Sequence, residues 1–586
     1  MRHHSSPPLS RCLVAPCRRA AARPSSRRPV RSGAVRPATL LLLPTLVLPA
    51  AAAAHAEVAR GEIARGTVFH DLDGDGMRDA GEPGLAEVLV TNGREVVATD
   101  EKGRWVLDAT PPAILSVVQP SGWRVPTNHL RLPRHFHLHK PEGSPDENFV
   151  FEGSEPTGPL PPSVDFPLQP ASGDAGDDGP DRFRVLLFGD TQPYSLEEVG
   201  FVGRDVVPQA AAANADFGIS LGDLVGDDLD LFEPLAETIA TIGVPWWNVY
   251  GNHDMNAMAE HDDFAAETFH RVFGPTDYAF QHGDATFIVL DDVIWNGFDG
   301  WAKAGPWTGA GRTDERGFPK VGNYRGGLRP HQVEFVRNLL AHVPKDHLVV
   351  LCVHIPIEGE GVHRIPEQRA LFEALSTHPR VLSLSGHTHY QRHWEFGSEP
   401  GDARAAGTTH HHLNAGAVSG TWWRGAKDER GVPHATMRDG APNGFWILDV
   451  DGNAYTLDFV PASRDADEQA TVHLPPTIPA NAARPFLVNV HAASPDDRVE
   501  FRVDGGAWTV MPFAPQIDPG YAALRDAEET EPPVRGRPLR SGPEISHHIF
   551  AGELPPLGAG SRPVEIRWTD RWGRVRETVR PLRVVE

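Results

Sequence analysis

Val185-Leu186-Leu187-Phe188-Gly189-Asp190-Thr191-Gln192 is an apolar run that ends abruptly in oxygen donors. Four consecutive apolar residues before a Gly suit a strand buried on both faces. Donors just past such a strand sit where open α/β sheets put their sites, at carboxyl ends. Three later segments repeat the arrangement: Gly222-Asp223, Gly251-Asn252-His253-Asp254 and Gly386-His387-Thr388-His389, with His354 following the run that ends at Cys352. From residue 182 to about 460, strand and helix patterns alternate, as an α/β layer fold requires. Helices are expected over 206–215, 230–242, 261–272, 330–342 and 367–377, and strands over 217–221, 286–290 and 347–352.

Asp, Asn, Gln and His without thiolate suit hard or borderline divalent ions such as Mn, Fe, Zn or Mg. Singly, each segment reads as a turn, or as a buried His satisfied by a carbonyl; five in register select a two-metal centre over a generic acidic cleft. In this order they resemble the calcineurin-like metallophosphoesterase family, whose pattern runs D-x-H, G-D, G-N-H-D/E, H, G-H-x-H. Gln192 stands where that family usually has His.

The resemblance implies an α-β-β-α sandwich with metals at one edge. It gives one metal to Asp190, Gln192, Asp223 and His389, and the other to Asp223, Asn252, His354 and His387, with Asp223 bridging. Two cations roughly 3.5–4 Å apart can share a hydroxide and clamp the attacking and leaving oxygens of an in-line displacement at phosphorus. His253, not assigned as a ligand, is then free to protonate the leaving oxygen or stabilise phosphoryl charge, with Asp254 expected on its other ring nitrogen. Gln192 is expected to favour Mn or Mg over softer ions. The D-x-Q opening also looks like the branch that contains manganese-dependent pyrophosphatases of ADP-ribose and CDP-alcohols.

The 586 residues exceed what one core supports, and three domains after a leader are expected. Residues 1–56 read as a signal peptide: an Arg-rich stretch to Arg36, an apolar run from Leu40 to Leu48 and Ala54-His55-Ala56 as cleavage site. That run is too short to span a bilayer stably, so the protein is expected in the periplasm or secreted, with no transmembrane segment beyond the leader. Formal charge is −23, although nine Arg and no acidic residue precede Glu57. Such acidity argues against a nucleic-acid polymer as partner. Cys352 is the one cysteine after the leader, so no disulfide is needed.

Residues 57–170 show short β runs with turns at Asn92-Gly93 and Lys102-Gly103, the pattern of a small β-sandwich. Within it, Asp71, Asp73, Asp75, the carbonyl of Met77, Asp79 and Glu82 match the spacing of a twelve-residue calcium loop. The stretch also resembles calcium-binding B-type repeats of bacterial surface proteins. His135, His137 and His139 alternate, so they share one face of a strand, expected to be polar. Residues 171–181 form a Gly- and Asp-rich linker; 182–467 is the phosphoesterase domain; 468–586 returns to β runs and reads as an Ig-like or fibronectin-like β-sandwich. The stretch 295–327 is long for a connector and is expected to act as a lid. Tyr324 and Arg325, with Trp422 and Trp423, are candidate substrate contacts. The whole order resembles an exported bacterial subfamily of calcineurin-like phosphoesterases.

The resemblance and the leader together imply an exported metal-dependent phosphoric ester hydrolase, expected to be a phosphodiesterase, pyrophosphatase or phosphomonoesterase acting on small phosphorylated molecules through a hydroxide shared by two metals. The alternative is a cell-surface binding protein whose β modules recognise an envelope polymer or glycan.

Overall fold

The computed structural model describes residues 61–145, 149–171, 181–297, 324–359, 361, 363–397, 409–539 and 541–586. The leader 1–56, nearly all of the 171–181 linker and most of the 295–327 stretch expected as a lid lie outside them.

Two mixed sheets occupy the centre of the chain. The first orders its strands Trp246–Asn248, Phe217–Ser220, Arg182–Phe188, Gly444–Asp451 and Ala454–Pro461, the first three parallel. The second runs Tyr278–His282, Ala285–Val289, Leu348–Cys352, Arg380–Ser385, Thr409–Ala415 and Gln391–Phe396, with its four inner strands parallel.

Successive side chains of a strand point to opposite faces, and Arg182–Phe188 uses both. Val185 and Leu187 meet Phe280, Phe287 and Val350 of the facing sheet, while Leu186 and Phe188 pack with Val199, Val202, Phe232 and Phe269 from helices. Beyond the second sheet, Ile288, Val349 and Leu351 join the helical residues Phe335, Leu339 and Phe372. The layers therefore run helix, sheet, sheet, helix, as expected. Between the sheets, Trp247 and Phe280 stack 4.0 Å apart and 3° from parallel, worth about 0.5–1.5 kcal/mol beyond area burial.

Five helices expected from the pattern form as Val207–Ala212, Phe232–Ala240, Glu267–Phe273, Pro330–Leu340 and Gln368–Leu375. An additional helix, Leu196–Asp205, is capped by Ser195, which accepts from the Glu198 N–H, and carries Glu197 and Glu198 in its first turn against the helix dipole.

The N-terminal part is the expected sandwich. One sheet orders Arg104–Asp108, Ile63–His70, Phe166–Pro170 and Trp123–Arg124; the other Val96–Ala98, Leu89–Thr91, Ala113–Val117 and Phe136–His139. The expectation of a polar histidine face is corrected. His135 and His139 are buried; the His135 ring lies 5.1 Å from Trp247 and 5.0 Å from Tyr278, inside the junction with the central sheets. Burial pushes His135 down to about 4, so it is a neutral packing residue at pH 7.

The C-terminal part is also a sandwich, of one three-stranded and one five-stranded sheet around Phe486, Val488, Phe501, Ile566, Trp568 and Leu582. It carries a helix, Pro519–Thr530, that the β pattern did not suggest, capped by Asp518 accepting from the Tyr521 N–H. All three parts form one compact unit from Gly61 to Glu586.

Candidate metal centre

Parallel strands deliver the donors to one edge. Asp190 follows Arg182–Phe188, Asp223 follows Phe217–Ser220, Asn252 follows Trp246–Asn248, His354 follows Leu348–Cys352, and His387 and His389 follow Arg380–Ser385. Asp190, Gln192, Asp223, Asn252, His354 and His389 are each no more than 2% exposed, and His387 is half-buried. Gln192, Asp223, His387 and His389 all have positive φ, at 37°, 48°, 77° and 56°. Such backbone costs about 1–3 kcal/mol per residue and persists where the surroundings impose it. A Cβ on Gly251 would stand 2.0 Å from the Asp223 N and 2.4 Å from its Oδ1, so only glycine lets the Asn252 loop approach.

Backbone carbonyls fix the histidine tautomers. His354 donates Nδ1–H to the Leu221 carbonyl at 2.8 Å, which turns Nε2 toward Asp223 Oδ1 at 3.2 Å, Asn252 Oδ1 at 3.1 Å and His387 Nδ1 at 3.2 Å. His389 donates Nδ1–H to the Gly420 carbonyl, and its Nε2 faces Asp190 Oδ2 at 3.1 Å. Metal-bound histidines typically present one nitrogen in this way, with the other fixed by a carbonyl.

The donor set fits divalent cations. Ligand atoms of Asp223, His354 and His387 lie within 4.8 Å of one another. Among the described residues, Asp190 Oδ2 and Gln192 Oε1 are buried with no hydrogen-bond partner, a costly state unless a cation meets them. Asp190 Oδ1 is occupied by the His387 N–H at 2.7 Å, so only Oδ2 is left for that purpose. Burial opposes charge on His354, yet the Asp223 carboxylate facing Nε2 outweighs it and raises the basicity of the ring. Burial likewise opposes charge on Asp223, and the His354 and His253 charges outweigh it and hold the carboxyl well below its usual range. The cluster thus demands positive charge at its centre.

His253 stands beside this group. Its N–H donates to Asp223 Oδ1 at 2.8 Å, and its Nδ1 lies 2.6 Å from Asp227 Oδ1. Burial lowers its basicity, but the Asp227 and Asp223 carboxylates lift it to about 9. The expected role of Asp254 is corrected: Asp227 holds the ring nitrogen of His253. Asp254 instead accepts the Gly251 N–H at 2.9 Å and the Val225 N–H at 3.2 Å. Burial and the Asp223 charge raise its carboxyl to about 8.

The aromatic candidates divide. Trp422 stacks on His389 at 4.2 Å, and the Tyr324 ring meets His387 edge-on at 5.9 Å. Trp423 as a substrate contact is corrected: it is 1% exposed, donates Nε1–H to the Thr191 carbonyl at 2.9 Å and packs on Phe201. Arg325 alternates with Tyr324 along its strand and directs Nη1 to the Gly326 carbonyl at 3.0 Å, with Glu367 at 4.0 Å.

Three residues at the site were not anticipated. Asp227 lies four positions beyond Asp223, in a turn whose sequence looks solvated. Asp292 accepts the His354 and Ile355 N–H groups, each at 3.1 Å from Oδ1. His363 puts Nδ1 2.7 Å from His387 Nε2, and no nearby sequence pattern marks it.

In the N-terminal loop, oxygens of Asp71, Asp73 and Glu82 gather within 4.8 Å, as do those of Asp73, Asp75 and Asp79. Asp71 accepts the Gly74 and Gly76 N–H groups at 2.7 and 3.2 Å, and Glu82 accepts those of Leu72 and Asp79 at 2.8 and 2.9 Å.

Three family models match the chain: the N terminal of calcineurin-like phosphoesterase over residues 73–155, calcineurin-like phosphoesterase over 183–391, and the C terminal of calcineurin-like phosphoesterase over 412–575. No curated protein sequence matches. Among solved structures, a dimetal phosphatase from Danio rerio is similar at 14% identity and a TM-score of 0.35, over 48% of this chain and 98% of that one. A purple acid phosphatase from yellow lupin (Lupinus luteus) seeds is similar at 12% identity and a TM-score of 0.29, over 68% of this chain and 66% of that one. With its three parts matched in order, the chain belongs to the calcineurin-like phosphoesterase family, whose members are metal-dependent hydrolases.

Proposed function

We propose that the protein is an exported hydrolase of small phosphorylated molecules, with Asp190, Gln192, Asp223 and His389 holding one divalent metal and Asp223, Asn252, His354 and His387 the other. The observation that supports this most is the reach of one carboxylate: Asp223 Oδ1 faces His354 Nε2 at 3.2 Å while Oδ2 faces the Gln192 amide at 3.4 Å. Two bound cations would supply charge neutralisation at phosphorus and water of lowered pKa. His253, with Nδ1 taken by Asp227, keeps Nε2 to deliver a proton to the leaving oxygen as the P–O bond breaks. Trp422 and Tyr324 form walls beside His389 and His387.

Metal analysis together with an assay panel tests the reading. About two divalent equivalents per chain, with Mn-supported hydrolysis of mononucleotides, dinucleotides, sugar nucleotides or phospholipid headgroups, is expected. A metal-free, inert protein that binds an envelope polymer through its β modules would establish the alternative of a cell-surface binding protein. Gln192 offers a neutral amide oxygen, so Mn is the favoured metal and Gln192→His should raise zinc affinity relative to Mn. A wild-type protein most active with zinc would contradict that preference.

Residues 1–56 direct export to the periplasm or beyond, and cell fractionation of chains with and without them checks it. The Asp71–Glu82 loop binds calcium; calorimetry should show heat at or below millimolar calcium, lost in Asp73→Ala.

A further inference from the structure

The turn Met437–Ala441 lies between the Gly386–Gln391 loop and the C-terminal sandwich and is bonded to both. On one side, the Arg438 N–H donates to the His389 carbonyl at 3.3 Å, and the Gln391 N–H donates to Asp439 Oδ2 at 2.7 Å. These two bonds flank Tyr390, so the turn fixes the backbone immediately after His389. On the other side, His548 Nε2 meets the same Asp439 Oδ2 at 2.9 Å, and Asn489 donates Nδ2–H to the Asp439 carbonyl at 3.0 Å.

The connection continues inward. Asn489 Oδ1 faces His548 Nδ1 at 2.6 Å, and its Nδ2 also reaches Asp518 Oδ2 at 2.8 Å. Asp439, Asn489, Asp518 and His548 are each at most 1% exposed. A Cβ on Gly440 would stand 2.2 Å from Asp518 Cγ, and Gly440 has a φ of +86°, so the turn is pressed against the helix cap of the sandwich. Arg438 adds an ion pair to Glu544 and donates Nε–H to the Gly542 carbonyl at 3.1 Å.

We propose that the C-terminal domain is a working part of the metal centre: through His548 and Asn489 it orients Asp439, which sets the backbone carrying His387 and His389. This rests on the metal-ligand reading of those two histidines. Asp439 and His548 are positioning residues, one and two hydrogen bonds removed from the backbone that follows His389. The physical reason is that Asp439 Oδ2 serves two donors from two domains at once, so losing one leaves a buried charge short of a partner and lets the turn move. Residues that orient metal ligands typically change metal affinity by about 10–100-fold when replaced.

The test measures metal affinity by titration and stoichiometry by elemental analysis on the full chain carrying Asp439→Asn or His548→Ala. His491→Gln serves as control, because His491 is buried in the same sandwich and its side chain bonds Thr471 at 3.0 Å rather than Asp439, Asn489 or His548. Both network variants should lose metal affinity by about 10–100-fold, first at the metal assigned to His389, while the control keeps wild-type affinity at a similar loss of thermal stability. His548→Asn, which retains a donor, should recover part of the affinity, and it takes the place of His548→Ala should that variant fail to fold. Two metals held as tightly as in wild type by folded Asp439→Asn and His548→Asn would overturn the inference while leaving the proposed function intact. A wild-type chain that holds no metal would overturn both.

Discussion

Asp227 Oδ1 lies 2.6 Å from Nδ1 of His253, and together with Asp223 it holds that imidazole protonated to about 9. Replacing His253 by Ala should therefore leave metal content unchanged and lower turnover by about 10²–10⁴. Asp227→Asn keeps the shape but removes one anion. An imidazole that loses an adjacent anion becomes less basic, so the alkaline limb of the kcat–pH profile should move to lower pH. An unmoved limb would show that His253 does not supply the proton.

Asp223 faces both donor groups, so no other single side chain should matter as much to metal content. In Asp223→Ala both metals should be lost together, along with nearly all turnover, and elemental analysis of the purified variant reads this directly. Retention of one full equivalent would mean that Asp223 serves one site only.

The donor set could be read from sequence because each donor stands just after an apolar strand, and strands carry chemistry at their carboxyl ends whatever the rest of the fold does. What could not be read depends on long-range packing. Trp423, between Trp422 and Arg424 in a loop, looks like a surface anchor until Phe201 and the Thr191 carbonyl close over it. His135 looks polar until Trp247 and Tyr278 arrive from far along the chain. Asp227 and Asp254 are both acidic residues in turns near His253, and only the path of the backbone decides which one meets the ring. The helix Pro519–Thr530 buries only Tyr521 and Glu528, too few apolar positions to leave a helical period.

His491 allows a pH test of stability away from the metals. Burial, and then the His548 charge, push it down to about 3. Its folded value lies below its unfolded value of about 6.5. Its neutral state is therefore without linkage cost above pH 6.5, and as pH falls below that the unfolded chain takes up a proton that the folded chain refuses. Relative to wild type, His491→Gln should lose less stability on acidification between pH 6.5 and 4, by up to about 1.4 kcal/mol per pH unit. Denaturant midpoints of the two proteins at several pH values measure the difference, and parallel curves would contradict the assignment.

Lys140 and Glu267 form a buried pair across the N-terminal junction, 2.6 Å apart and 5% and 3% exposed. Glu267 opens the helix Glu267–Phe273, and Ser144 also donates to its carboxylate, so the pair ties the N-terminal sandwich to the segment that follows Asn252 and His253. Burial lowers the basicity of Lys140 and the Glu267 carboxylate offsets only part of that, so the ammonium depends on its partner. Lys140→Met should destabilise the protein by about 3–5 kcal/mol, because it strands the Glu267 carboxylate in an apolar setting. Lys140→Met with Glu267→Leu removes both charges and should recover most of that loss. Equal destabilisation of the single and double variants in chemical denaturation would mean that packing around the pair, rather than the unpaired charge, sets the cost.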